Sequence, residues 1–507
     1  MRTSRQASPL VRLFLGRMLL SRAASASPNT VIINSTKKGK HPGWKKGKML
    51  VRKNYHFNLF PRTEMLLKTL LNFVTDYKSY VFTNIYMENV TQENGTTAKR
   101  IVAEIEPRKN SKGVCPKCGQ KCPTYDTAWE PRWFEFVPIW NIPVWFVYRM
   151  RRVSCPAHGV ITEKVPWDDG KNTQTIEHRQ FLANWARRLS WTETAECFDT
   201  TIGKVHRAVQ WIVDWGLKHR DLSGITQIGV DEIHRGKGHK YMTLVYQLDD
   251  DNKRLIGIEK GHEEKSLDRF FDTLDTLDAE TKETEGVKGA KEPEKKTKRS
   301  HRIKFACTDM WKAYLNVLAR RCPNALNILD RFHVKGHLTK AVDETRKLDV
   351  ARLKAEKKEK VLTKSKYIFL KNPENLTEKQ AVKLQDLLRC NLRVVRAYLM
   401  KEDFERFWSY KSWYHAGRFL HEWCVRAMRS KIEPMKKFVG TIRNHRELLM
   451  NWFKSKGLSS GIVEGFNNKV KLTLRKGYGY ASDESLKIAL FHALGRLPEP
   501  KFTHRFW

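Results

Sequence analysis

The chain has 507 residues, too many for one compact core, and 40% of them are hydrophobic, enough to build several. Lys and Arg number 95 against 55 Asp and Glu, a formal charge of +40 that suits a polyanionic partner, nucleic acid first. There is no apolar run of the length a membrane helix needs, so no membrane partner is expected; nine cysteines, an odd count without a regular framework, argue for a reducing compartment.

Residues 1–63 hold no Asp or Glu, and the stretch 1–27 is rich in Arg, Ser and Ala. That leader reads as an organelle transit peptide, or else as a disordered basic arm or upstream sequence included by a wrong start codon. Residues 64–112 read as a small α/β region: a helix over 64–77 with Leu66, Leu67, Leu70, Leu71 and Phe73 on its apolar side, then strands over 81–90 and 100–106 around a turn at 92–96.

Residues 113–165 carry a CxxC…CxxH pair, Cys115-Pro-Lys-Cys118-Gly and Cys155-Pro-Ala-His158-Gly. Each half is a knuckle, a tight turn that aims two soft ligands at one point, and two knuckles make a closed tetrahedral site for a structural Zn²⁺. Cys122 is a spare thiol: it could replace one of the four ligands, though the two-knuckle reading favours leaving it free. Trp129, Trp133, Phe134, Phe136, Trp140, Val144 and Phe146 are expected to pack over the metal.

Residues 174–220 have the lengths of three helices, at 181–189, 192–198 and 201–215, with Ser190 and Thr200 as N-caps. A small side chain, Ala195, stands where a tight crossing needs one. This is the pattern of a helix-turn-helix whose last helix presents Lys204, His206, Arg207 and Gln210 to a major groove; an ordinary three-helix packing unit has the same pattern.

Residues 224–339 are richer in strand text: 227–231, 241–248 and 254–259, a helix at 266–274, then strands at 303–309 and 326–329. That order predicts an RNase H-like mixed sheet with its first and fourth strands side by side. Asp231 and Asp309 each end an apolar strand, and Glu464 opens a helix. Three such carboxylates can hold two Mg²⁺ (or Mn²⁺) ions, the all-oxygen arrangement that cuts and joins phosphodiesters. Glu232 points to the other face and reads as structural, whereas Asp330 and His333 form an Asp-x-x-His turn able to touch a phosphate or pin a carboxylate. His234 and His239 have no evident role. The segment 278–302 is nearly all Lys, Glu, Asp, Thr and Gly and reads as a solvated, mobile loop.

Residues 340–455 are helical and basic and end at a Gly/Ser break; residues 456–497 return to the sheet's last part, and 498–507 form a tail. Behind Glu464, the residues Asn467, Asn468, Lys469, Lys471, Arg475 and Lys476 suit a DNA end and its phosphates; a solvated basic helix face reads the same way.

Gly229-Val-Asp-Glu-Ile, Thr308-Asp-Met-Trp-Lys-Ala-Tyr, Leu329-Asp-Arg-Phe-His-Val and Glu464-Gly-Phe-Asn-Asn-Lys-Val-Lys, behind the Cys-Pro-x-Cys-Gly knuckle, carry a family resemblance. Over residues 64–497 the chain resembles bacterial insertion-sequence transposases of the ISL-three family. The resemblance implies a multidomain α/β protein with a small zinc module, a helix-turn-helix and a DDE domain of RNase H-like fold carrying a helical insertion. It implies Asp231, Asp309 and Glu464 as metal ligands, and Cys115, Cys118, Cys155 and His158 as zinc ligands, with His158 standing where many relatives have cysteine. It also implies that residues 1–63 and 278–302 are additions, and that Trp408, Trp413 and Trp423 of the insertion either grip DNA or form core. The expected activity is DNA transposition: binding terminal inverted repeats, Mg-dependent cleavage and strand transfer to target DNA, by a dimer or larger assembly, in the bacterial cytoplasm at the nucleoid. The prokaryotic type that the resemblance implies favours the disordered arm or the wrong start codon over a transit peptide for the leader. The alternatives are a domesticated, inactive DNA-binding regulator and an RNase H-type nuclease on RNA–DNA hybrids.

Overall fold

The computed structural model describes residues 67–91, 97–234, 240–280, 298–455 and 461–502. The leader at 1–63, the turn at 92–96, His239, the centre of the charged segment at 281–297, the Gly/Ser break at 456–460 and the end of the tail at 503–507 lie outside them.

Helix α1 (Leu67–Thr75) precedes strands β1 (Tyr80–Thr91) and β2 (Thr97–Pro107), which pair antiparallel from Tyr80↔Pro107 to Thr91↔Thr97. Then come β3 (Gly113–Val114), β4 (Lys121–Cys122), β5 (Thr124–Thr127), β6 (Arg132–Ile139), β7 (Ile142–Tyr148), β8 (Arg151–Cys155) and β9 (Gly159–Thr162). Strand β2 runs parallel to β7, giving a sheet of order β1-β2-β7-β6 that crosses the boundary expected at residue 113. This corrects the role of the aromatic residues. Phe134, Phe136, Val144 and Phe146 alternate inward and pack with Tyr80 and Phe82 in that sheet's core, while Trp129 and Trp140 are exposed. The knuckle strands are too short to recruit them, and they bury only a small cluster of Cys115, Cys122, Val153 and Cys155. A buried ion pair joins the two parts: Arg151 meets Glu163 at 2.7 Å, and Tyr80 donates to the same carboxylate at 3.2 Å.

Helices α2 (Ile176–Arg188), α3 (Trp191–Cys197) and α4 (Ile202–His219) follow. Ser190 and Glu193 form a reciprocal capping box at α3. Thr201, rather than Thr200, caps α4 by accepting the Lys204 N–H. Ala183, Ala186 and Ala195 are buried at the crossings, where small side chains permit close approach. The first turn of α2 is charged yet buried, because α2 packs against β6 of the sheet β1-β2-β7-β6 and not against water. There Arg179 meets Asp169 at 2.5 Å, the Trp211 indole donates to Asp169 at 2.6 Å, and Lys204 meets Glu135 at 2.8 Å.

His178 sits within this network, and burial pushes its imidazole down from 6.5 to about 4, although Glu135, 3.9 Å from Nδ1, pulls upward. Its folded value lies below its unfolded one, so the unfolded chain binds the proton more tightly. The stability it contributes is complete above pH 6.5 and is lost as pH falls toward 4, about 3 kcal/mol in all. Urea unfolding of wild type and His178→Gln across that range should show a gap that changes with pH; a constant gap would refute it.

The second sheet holds β10 (Gln227–His234), β11 (Tyr241–Gln247), β12 (Arg254–Lys260), β13 (Phe305–Thr308) and β14 (Leu326–Leu329) in the order β12-β11-β10-β13-β14. Strand β10 is antiparallel to β11 and parallel to β13, and β13 is parallel to β14, so the first and fourth strands are neighbours. Contrary to expectation, β10 does not end at Asp231 but continues to His234. Its ladder with β13 stops at Gly229↔Cys307, so Asp231 projects past its parallel partner.

Helix α5 (Glu264–Glu280) is longer than its apolar residues predicted, and the charged segment is shorter at both ends. Residues 299–302 form a 3₁₀ turn with Arg299 and Ser300 buried, Ser300 donating to Asp275 from both N–H and Oγ at 3.0 Å. Helix α6 (Lys312–Arg321) was not foreseen, although Tyr314, Val317 and Leu318 mark its buried side at helical spacing.

The basic helical block begins at once after β14, not at residue 340. It comprises α7 (Arg331–Ala355), α8 (Lys366–Leu370), α9 (Glu378–Leu388), α10 (Arg393–Glu405), α11 (Trp413–Arg429), α12 (Glu433–Asn444) and α13 (Arg446–Lys454). Trp408 and Trp423 belong to its core, the Trp423 indole donating to the Met400 carbonyl at 3.0 Å, whereas Trp413 is half exposed. Asn451 on α13 donates to the Asn327 carbonyl at 2.8 Å, returning the block to β14. Helices α14 (Gly461–Lys476) and α15 (Asp483–Leu494) complete the described chain. Among the described residues no helix is long and apolar enough to cross a membrane.

Candidate functional site

The knuckles come together as expected. Sγ of Cys118 and Cys155 are 3.6 Å apart, and Nδ1 of His158 lies 3.7 Å from Cys115 Sγ and 3.5 Å from Cys155 Sγ. A tetrahedral Zn²⁺ with Zn–S about 2.3 Å needs ligand separations of about 3.7 Å, so this donor set fits zinc. Gly119 and Gly159 follow the ligands with φ +73° and +67°, the left-handed backbone that curls each turn. Burial pushes the Cys155 thiol up, but the Ala157 N–H and the Cys118 and Cys115 thiols win and bring it down to about 7, toward the thiolate a metal requires. Cys122 is buried in the same cluster but is not in the four-residue set.

The carboxylates depend on how α14 docks. A Cβ on Gly229 would lie 2.8 Å from the Val463 Cγ2, so only glycine in β10 lets α14 approach this closely. Phe466 stacks on Tyr246 of β11, ring centroids 4.6 Å apart. With α14 so held, Asn467 donates its side-chain amide to Asp231 Oδ2 and accepts from the Tyr246 hydroxyl at 3.3 Å. The other oxygen of Asp231 accepts the Glu232 N–H at 2.8 Å. Asp309 follows the end of β13, where its Oδ1 accepts the Trp311 N–H at 2.9 Å; burial raises its carboxyl above the usual range against that hydrogen bond. Glu464 lies exposed on the first turn of α14. Among the described residues the knuckle ligands are the one group of three or more whose donor atoms lie within 4.8 Å of one another; Asp231, Asp309 and Glu464 are not drawn that close.

Asp330 is the N-cap of α7, accepting the Phe332 N–H at 2.7 Å, so His333 stands on a helix and not in a turn. Its Nε2 lies 3.8 Å from Asp231 and 3.9 Å from Asp330. Two neighbours escaped the sequence reading. Glu232, taken as structural, has its carboxyl pushed up to about 7 by burial and then by Asp309 and Asp231. His337 comes within the field of Asp309, His333 and His445, and only its i, i+4 spacing from His333 hinted at this.

The residues expected on DNA divide. Lys204 is engaged by Glu135, and His206 packs on Trp191 with Ser485 at 3.4 Å from Nε2; Arg207 is exposed and Gln210 half exposed. On α14, Asn468, Lys469, Lys471 and Arg475 are exposed. Lys476 instead turns inward to the Ala186 and Arg187 carbonyls at 3.2 and 3.1 Å, where burial lowers its ammonium to about 8. It ends helix α2 instead of facing solvent.

The knuckles with their short hairpins define a zinc-ribbon protein, and the family model described as the zinc-finger of transposases IS204, IS1001, IS1096 and IS1165 matches residues 111–158. The ISL3 DDE family model, described as a transposase, matches residues 228–490, which include both parts of the second sheet's site. This chain belongs to the ISL3 family of transposases. It is 27% identical to the transposase for insertion sequence element IS1557 of Mycobacterium tuberculosis over 433 residues, 80% of this chain and 91% of the relative. It is 24% identical to the transposase for IS1001 of Bordetella parapertussis over 375 residues, 73% and 86% of the two chains.

Proposed function

We propose that this transposase binds the terminal inverted repeats of a mobile element and carries out strand cleavage and strand transfer at Asp231, Asp309 and Glu464. In this reading the second sheet is RNase H-like, helices α2 to α4 are a helix-turn-helix, and α7 to α13 are its insertion. The observation that carries it is how the elements place the carboxylates: Asp231 outruns its parallel partner, Asp309 follows that partner's end, and Glu464 opens the helix that Gly229 admits against β10.

The three carboxylates form an all-oxygen donor set suited to Mg²⁺ or Mn²⁺, which when bound would activate the attacking oxygen and stabilise the leaving one. Asn467 orients Asp231 from behind. His333 Nε2, between Asp231 and Asp330, is positioned to hold or relay a proton beside the phosphate. Arg207 and Gln210 remain to read the repeat, and Asn468, Lys471 and Arg475, at helical spacing on the exposed side of α14, extend from Glu464 as a track for phosphates.

The test is incubation of the full chain with DNA bordering its gene and Mg²⁺, followed by mapping of nicks. Cleavage at the element's ends supports the reading, and binding without cleavage overturns it. Asn467→Ala should lower the nicking rate by about tenfold to a hundredfold with DNA affinity unchanged. A loss of affinity with the rate preserved would assign Asn467 to DNA instead.

A further inference from the structure

Two neighbouring parallel strands end in the same device. After β13 come Asp309, Met310 and Trp311; after β14 come Asp330, Arg331 and Phe332. In each, the aspartate Oδ1 accepts the backbone N–H of the aromatic residue two positions on, at 2.9 and 2.7 Å. Thr308 and Leu329 are register partners, so the two Asp-x-aromatic turns stand side by side at the carboxyl end of the sheet. Both rings are turned outward, Trp311 44% and Phe332 53% exposed.

Exposed rings of this size are common singly; two on adjacent turns, one after Asp309 and one after Asp330, give a partner two faces at one sheet end. Trp311 is held twice over, since its indole N–H also donates to the His262 carbonyl at 2.8 Å and its ring rests 5.4 Å from the His262 ring. Rigid aromatic faces lose little entropy on binding. Exposed aromatic faces suit a ligand with flat faces of its own, and the exposed Lys312 beside Trp311, on a chain of charge +40, suits one that also carries negative charge. A paired duplex buries its base faces in its own stack, whereas an unpaired nucleobase offers them.

We propose that Trp311 and Phe332 form a stacking site for unpaired nucleobases beside the scissile phosphate, so that the protein holds the DNA end frayed. This rests on the proposed DNA cleavage at Asp309 and deepens it: the substrate engaged is an opened end. Cleavage itself is not needed to test it.

The experiment measures binding, without divalent metal, of a duplex from the DNA bordering the gene. The duplex is used fully paired and with its last bases unpaired, a fluorescent adenine analogue marking an unpaired base. Wild type should prefer the unpaired end and quench the analogue. Trp311→Ala and Phe332→Ala should each reduce that preference by about tenfold, with affinity for the paired duplex unchanged, and Trp311→Phe should largely restore it. Equal affinity for paired and unpaired ends, or a preference that survives both alanines, overturns the stacking site while leaving the cleavage reading intact. Absence of binding to either duplex overturns both. A change in oligomeric state in place of the preference would assign the rings to contact between copies and overturn the proposal.

Discussion

Asp231→Asn is expected to abolish strand nicking at the element's ends, by at least about a thousandfold, equivalent to about 4 kcal/mol of transition-state stabilisation. The substitution is chosen for what it keeps. An asparagine still offers an oxygen to the Asn467 amide or the Glu232 N–H, so the docking of α14 by Phe466 on Tyr246 is preserved. What is lost is the negative charge a cation would bind. Glu464→Gln should behave alike, since Glu464 is exposed and supports no core. Glu232→Gln is the discriminating control. It removes a half-buried carboxyl from the same neighbourhood and should cost less than about tenfold if the triad is as assigned. Single-turnover nicking of labelled border DNA reads all three. Full activity in Asp231→Asn, or a Glu232→Gln defect as deep as that of Asp231→Asn, would redraw the site.

Cys118→Ser should strip the chain of its zinc and reduce binding of the ends to the sequence-independent level, a loss of about a thousandfold or more. The knuckle strands bury little besides Cys115, Cys122, Val153 and Cys155, too small a core to stand without a metal. Cys118 is the exposed cysteine of the four-residue cluster, so serine there adds no packing defect. The separate sheet around Phe134 and Phe146 should persist, which near-ultraviolet circular dichroism would register. Cys122→Ser should leave zinc unchanged. Retained zinc in Cys118→Ser, or zinc lost in Cys122→Ser, would show that the spare thiol is the true ligand.

The cluster of Cys115, Cys118, Cys155 and His158 was legible because knuckle spacing is local: residues i and i+3 in a glycine-ended turn meet whatever surrounds them. The second sheet's strand order was legible from the succession of apolar runs. Where the sequence reading failed, burial decided. Lys204 and Lys476 read as exposed cations because charge sits on helix faces, yet one meets Glu135 and the other two carbonyls of α2. The aromatic strands at 132–148 were read with the knuckles they neighbour in sequence, but pair with β2 instead. Glu232 was set aside by strand alternation, which says which face a side chain takes but not what packs there.

By itself, the sequence determined the residue types on hand: three cysteines and a histidine in two turns, an Asp-Asp-Glu series at the ends of apolar elements, and a net charge of +40. These are properties of residue type and short-range spacing. Only the tertiary structure decided which groups act on one another across hundreds of positions. Asn467 reaches Asp231 because Gly229 leaves room for Val463, and the turns that carry Trp311 and Phe332 are neighbours because β13 and β14 are parallel and in register. Such contacts follow from the packing of whole elements, and no local pattern encodes them.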